Sequence, residues 1–374
     1  MLFLKAGCIK RGHTKGTSIA PAADDVVFRL PIRVVLSLIF ALSIGGSAAA
    51  QKPDLSPLDA TFKRIAASSR GRVGAALIHL ESGATLDVRG DERFPMASVV
   101  KLPIVIEVLK QVTERKLSLD RDVWLAPNDI RPCCTLERKH PKGGVSRTVR
   151  ELLELAIIES DNTAADALLK LVGGPDIVEA RLRTLRFQDI NVDRSEGQLL
   201  LDMAGVTNAP PPDEWTIELQ RQLVAYVDKD SLNAGRARYL ADLRDTATPS
   251  DIARLLGRLQ LGDLLPRSET DLLLTLMVET KTGLRRLKGR LPQDAIVAHK
   301  TGTTAVVIND AGIITLPHDS KIGGHLALAI FVADGSSIRG MERSIAQLSA
   351  AAYEFFTGRA IPPPPPVRKQ RRRR

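Results

Sequence analysis

Cysteine is scarce in this chain: Cys8, Cys133 and Cys134 are the only three in 374 residues. No further Cys or His stands near the adjacent pair at metal-site spacing, which argues against a zinc centre. Neighbouring Cα atoms also lie closer than an ordinary structural disulfide requires, so two free thiols in a loop are expected. Net charge is equally absent from the body of the chain. Of the formal +10, residues 1–50 contribute +4 and residues 368–374 contribute +6, which leaves residues 51–367 neutral. A nucleic-acid partner needs basic charge clustered on the folded surface, so none is expected. Long apolar runs are lacking too. The segment Val34–Ile44 spans 11 residues, too few to cross a bilayer. Arg29 and Arg33 ahead of it and Ala48–Ala50 behind it read as an export signal cleaved after Ala50, giving a periplasmic or secreted product. The stretch before Arg29 is long and polar for such a signal, and Val27 is an alternative start.

The remainder has the makings of a folded enzyme, with 44% hydrophobic and 26% charged residues, ordinary for a globular protein with a sizeable core. A helical stretch, Pro57–Ser68, precedes an alternating run from Arg72 to Leu80. A Gly-containing turn at Glu81–Gly83 and a second β-like run, Ala84–Val88, complete a hairpin. Helical patterns then follow at Ser98–Gln111, Thr148–Glu159, Ala164–Val172 and Pro175–Leu185. Two more, Pro249–Leu259 and Pro266–Val278, open with proline in the first turn, where it is tolerated. Strand patterns return at Asp294–Thr301, Asn309–Leu316 and Gly324–Ala333, before an amphipathic helix at Met341–Phe356. The segment Leu200–Asp242 is the least regular, broken by Pro210–Pro212, with helical spacing only over Glu214–Val227. Strands, many helices, strands and a helix predict an α+β fold: a mostly antiparallel sheet flanked by helices and interrupted by an all-helical subdomain. The division is a signal at 1–50 and a catalytic domain at 51–360. Within that domain the sheet part is 51–95 and 290–360 and the helical part 96–289. At 361–374, five prolines and six basic residues predict an extended, disordered tail. It is either a solubilising end or a weak contact to anionic envelope surfaces.

Three motifs carry the chemistry, in the order Ser98-Val-Val-Lys101, Ser160-Asp-Asn162 and Lys300-Thr-Gly302. A second Lys-Thr-Gly at Lys281 follows a helix, whereas Lys300 ends a strand-like run, so the site is placed at Lys300. A serine hydroxyl needs a base within hydrogen-bond reach to become a nucleophile. Three residues apart at a helix start, Ser98 and Lys101 share a face, and a second cation such as Lys300 favours a neutral amine. The helix N-terminus favours developing negative charge.

These motifs, together with the stretches Phe94–Pro103 and Ser160–Leu168, resemble the class A serine β-lactamases from about Gln51 to Gly358. The resemblance implies hydrolysis of a small-molecule β-lactam through an acyl-enzyme on Ser98. Ser160 would pass a proton to the β-lactam nitrogen, and Asn162 would hold the substrate's side-chain amide. Lys300 and Thr301 would bind its carboxylate, with Arg286 as a further carboxylate-binding residue. Backbone amides of Ser98 and Thr303 would form the oxyanion hole. Asp193-Arg-Ser-Glu196 matches the family's D-R-x-E, making Glu196 the base for deacylation, and Arg194 would pair with Asp245 to close its loop. The chain departs from the pattern at Gly197, where the family has proline, and at Leu200, where it has an asparagine that helps hold water. It departs again near Cys133, where the family has an aromatic wall. Forty-eight residues separate Glu196 from Asp245, a few tens more than usual. A D-alanyl-D-alanine peptidase or a penicillin-binding sensor is the alternative, since either needs the three motifs but not Glu196. A monomer without cofactor or metal is expected.

Overall fold

The computed structural model describes residues 52–361, so the export signal and the tail beyond Ile361 lie outside the described residues. Along the chain come α1 (Ser56–Ser68), β1 (Arg72–His79), β2 (Ala84–Val88), β3 (Phe94–Pro95), a 3-10 turn (Ala97–Val100), α2 (Lys101–Thr113), β4 (Asp122–Leu125), α3 (Cys134–Lys139) and β5 (Val145–Thr148). The helices α4 (Val149–Ile158), α5 (Asn162–Val172), α6 (Pro175–Thr184), α7 (Glu196–Ala204), α8 (Ile217–Ala225) and α9 (Lys229–Ala241) follow. Next are β6 (Thr246–Ala247), α10 (Pro249–Gln260), α11 (Arg267–Val278), β7 (Ile296–Thr303), β8 (Val307–Thr315), β9 (His325–Ala333) and α12 (Ile338–Thr357).

The main sheet has the order β2-β1-β9-β8-β7, with every neighbouring pair antiparallel. It unites the two ends of the chain, as the strand–helix–strand order predicts. Side chains of a strand alternate between faces, and both faces here are apolar because both are covered. Leu326, Leu328, Ile330 and Val332 of β9 join Phe62 of α1 and Tyr353 and Phe356 of α12 in one cluster. Their neighbours Ala327, Ala329, Phe331 and Ala333 belong to the larger cluster shared with α2, α5 and α10. Burying a large apolar side chain of this kind contributes about 1.5–3 kcal/mol, so the two-sided sheet is a stiff platform. The turn leading into α2 packs directly against the sheet edge β7, and the site forms there.

The segment read as least regular needs correction. Residues 196–241 hold three helices, each with a side-chain cap: Ser195 accepts from Gln198 N–H, Thr216 from Leu219 N–H, and Asp228 from Asp230 and Ser231 N–H. Only Gly235 and Tyr239 of α9 are buried, so that helix has almost no apolar stripe for periodicity to detect. Among the described residues no helix is long and apolar enough to cross a membrane.

Candidate active site

Ser98 lies in the 3-10 turn that leads into α2, directly after Ala97, whose φ of 47° is in the left-handed region. Ser160 itself has φ 59°. Non-glycine residues held there are strained, and surrounding structure must enforce the conformation. Lys101, in the first turn of α2, is fully buried and its Nζ is encircled by oxygens. It lies 3.2 Å from Ser98 Oγ, 2.6 Å from the Ser160 carbonyl, 3.4 Å from Ser160 Oγ and 2.8 Å from Asn162 Oδ1. Glu196 Oε1 is 3.2 Å from the same Nζ and 3.4 Å from Ser98 Oγ. A buried amine is tolerated only when its hydrogen-bonding capacity is met, and here it is.

From the opposite side, Lys300 Nζ donates to Ser160 Oγ at 2.7 Å and to the Thr301 carbonyl at 2.9 Å. Burial pushes the Lys300 ammonium well below the ordinary lysine value, and the charge of Lys101 adds to the effect. Ser160 is therefore held between two lysines. A cavity of about 260 Å³ opens over this cluster, and Ser98, Ser160, Asn162, Glu196, Thr301 and Thr303 all line it. Its chemistry is that of a proton-relaying acyl-transfer site: a hydroxyl with two proton acceptors in reach, and a second hydroxyl between two amines.

Comparison with known proteins decides the family, since a family model described as the beta-lactamase enzyme family matches residues 57–356. The chain belongs to this family. The β-lactamase VEB-1 of Pseudomonas aeruginosa is 28% identical over 337 residues, covering 87% of this chain and 97% of its own. The β-lactamase L2 of Stenotrophomonas maltophilia is 31% identical over 266 residues, covering 71% and 75%. Among solved structures, a β-lactamase from Chitinophaga pinensis matches with a TM-score of 0.67 at 31% identity, over 80% of this chain and 99% of its own. An ancestral class A β-lactamase matches with a TM-score of 0.65 at 30% identity, over 80% and 100%.

Within this β-lactamase, the loop carrying Glu196 is closed by charge. Arg194 Nε donates to Asp245 Oδ2 at 2.6 Å, and Arg194 also meets Asp202 at 2.8 Å and Asp242 at 3.2 Å. Arg286 is buried. It donates to the carbonyls of Gly302 and Asn309 at 3.0 and 2.9 Å and to Thr303 Oγ1 at 2.7 Å, so it reaches the cavity through Thr303 and does not line it. The second motif copy also contributes: Lys281 is exposed against Glu159, but Thr282 lines the cavity and its hydroxyl meets Thr301 Oγ1 at 2.6 Å.

Two features escaped the sequence reading. Asp166 accepts the backbone N–H of Glu196 at 2.6 Å and of Gly197 at 3.2 Å, which fixes the base from below. The only signal was its place in α5, four residues after Asn162. The expectation of free thiols is also corrected, because Cys133 and Cys134 form a disulfide with Cα atoms 3.7 Å apart. Adjacent side chains of an extended strand point apart, but here both residues have positive φ, 99° and 84°, and both sulfurs turn to one side. The disulfide lines the cavity where the family carries an aromatic wall. Leu200, one turn beyond Glu196 on α7, lines it as well.

Proposed function

We propose that the family activity, hydrolysis of a β-lactam, proceeds in this chain through an ester on Ser98. Ser98 Oγ attacks the lactam carbonyl carbon while its proton passes to Glu196, or to Lys101 when that amine is neutral, the two groups in reach. The C–N bond breaks as the nitrogen takes a proton from Ser160, which the flanking lysines Lys101 and Lys300 resupply. Thr301, Thr303 and the Lys300 ammonium receive the substrate carboxylate, with Arg286 acting through Thr303, and Asn162 receives the side-chain amide. Backbone amides of Ser98 and Thr303 stabilise the oxyanion, a contribution of about 3–4 kcal/mol per donor in sites of this kind. Glu196 then takes a proton from water, the hydroxide attacks the ester, and Ser98 leaves with that proton returned. The observation that carries this reading is the set of five contacts converging on Lys101 Nζ, which joins Ser98, Ser160, Asn162 and Glu196 in one network.

The test is Glu196→Gln. With a chromogenic cephalosporin it should form the acyl-enzyme, seen by intact-mass measurement, yet turn over about 10²–10⁴ times more slowly, the range for loss of a general base. Unchanged turnover would reassign the base, and a wild-type protein that acylates but never turns over would make it a peptidase-like or sensor protein.

Export to the periplasm follows from the signal pattern around Val34–Ile44 and is tested by N-terminal sequencing of the fractionated product. Every side chain assigned above comes from one chain, so a monomer suffices. The basic tail is a weak envelope contact, and deleting residues 361–374 should alter fractionation without altering turnover.

A further inference from the structure

Trp215 stands in the extra segment between Glu196 and Asp245, just before α8, and is only 1% exposed. Its Nε1 donates to the Pro210 carbonyl at 2.8 Å, which fixes the ring, and the Arg131 guanidinium lies 5.6 Å from the ring centroid. Arg131 is itself buried. Its Nε donates to Asp166 Oδ2 at 2.7 Å, and Asp166 in turn accepts the backbone N–H groups of Glu196 and Gly197. A second residue of the segment, the buried Gln220, donates to the Ile130 carbonyl at 2.9 Å, one residue before Arg131. Gly197 marks where these groups converge. A Cβ there would lie 2.6 Å from Arg131 Nε and 3.1 Å from Trp215 Cζ3, so glycine is what lets the first turn of α7 pack against both.

We propose that Trp215 is a positioning residue for Glu196, acting through Arg131 and Asp166, and that the extra segment exists at this site to hold the base for deacylation. A cationic side chain over an aromatic face, desolvated, is held in place by the ring's negative face. With Arg131 fixed, Asp166 keeps its carboxylate aimed at two amides of α7, and the helix start cannot drift. Neither Trp215, Arg131 nor Asp166 lines the cavity. When Glu196 shifts, Ser98 still has the Lys101 amine 3.2 Å away as a proton acceptor, whereas the deacylating water has Glu196 alone, so deacylation is the step that draws on this chain of contacts. The proposal rests on the reading of Glu196 as the hydrolytic base.

The experiment measures acylation and deacylation rate constants separately in the full-length protein, by rapid quench and intact mass with a chromogenic cephalosporin. Trp215→Ala should slow deacylation about tenfold or more, as a small displacement of a catalytic group does, with acylation held within about twofold. Trp215→Phe keeps the ring and should restore most of the loss. Arg131→Lys, which keeps the charge but not the planar fork, should slow deacylation in the same selective way and serves as the readout where Trp215→Ala does not fold. Equal loss in both rate constants, no loss in either, or identical behaviour of the Ala and Phe variants overturns the proposal. Glu196→Gln in parallel separates the two levels. If it fails to trap the acyl-enzyme, the base assignment falls and the proposal with it. If it traps while Trp215→Ala deacylates normally, only the proposal falls.

Discussion

Removing the carboxylate of Asp245 tests how far the Glu196 loop depends on its ionic closure. Asp245 is 1% exposed and accepts three donors: Asp193 N–H at 2.8 Å, Arg194 N–H at 3.1 Å and Arg194 Nε at 2.6 Å. In Asp245→Ala the buried Arg194 N–H loses its acceptor, at about 1–3 kcal/mol, and the part-buried Asp193 N–H loses its own at less. Stranding a buried charge costs about 3–5 kcal/mol, but Arg194 keeps Asp202 and Asp242, so only part of that applies. The residue also has φ 51°, which aspartate, asparagine and glycine adopt more readily than alanine. Neighbouring terms do not simply add, and about 4 kcal/mol is the expected cost for Ala. Asn keeps one acceptor oxygen and the backbone preference, so about 2 kcal/mol is expected there. Denaturant melts give the free energies, and for a domain of this size the Ala variant should melt about 6 °C lower. Because the pair is buried, the difference should hardly change between low and high salt. Deacylation should slow with the loss of stability, since Arg194 and Glu196 are two residues apart. Ala and Asn variants that both cost under about 1 kcal/mol would refute the reasoning, because no buried donor would then have depended on the carboxylate.

Four further outcomes follow from the site. The depressed Lys300 ammonium loses its charge below the ordinary pKa of 10.5, so kcat/KM for an anionic substrate should fall on the alkaline side earlier than free lysine would dictate, and Lys300→Arg should move that limb upward. Between the folded pKa of Lys300 and 10.5 the unfolded chain binds more protons, so this group makes stability rise with pH, which melts across that window check. Leu200→Asn puts a polar group one turn from Glu196 and should raise the deacylation rate by up to about tenfold, the value of one hydrogen bond, in single-turnover measurements. Alkylation before and after reduction should count two fewer modified cysteines in the unreduced protein, and equal counts would return Cys133 and Cys134 to free thiols.

The parts of this site that were legible are those whose partners are close in sequence or fixed by residue type. Ser98 and Lys101 are a helical neighbour pair, Ser160 and Asn162 share one turn, and Lys300 follows a strand-like run, although β7 continues to Thr303. Each pattern specifies chemistry locally, and the fold has only to bring them together, across 59 residues from Lys101 to Ser160 and 140 from Ser160 to Lys300. The sheet was legible for a similar reason, because its strands carry apolar residues on both faces between clear turns. Contacts made to backbone were not legible. Asp166 holds Glu196 and Gly197 by their amides, and any non-proline residue presents an amide, so nothing at positions 196 and 197 announces the partner. The cystine was missed because adjacency argued against it and positive φ at two non-glycine residues is invisible in a sequence.

The extra segment before Asp245 shows the same limit from the other side. Its proline cluster made it the least regular stretch of the sequence, with helical spacing only over Glu214–Val227, yet Trp215 and Gln220 are buried, and Arg221 pairs with Glu137 next to the cystine turn. Gly197 stands where the resemblance to the family implies a proline. In the folded chain it is the one residue that leaves room for Arg131 beneath the first turn of α7. A proline ring or any side chain at that position would displace the arginine that Trp215 and Asp166 share. Gly197 and the added segment meet at Arg131: the glycine leaves the space the guanidinium fills, Trp215 lies against it, and Arg131 holds the Asp166 carboxylate that accepts the Glu196 amide.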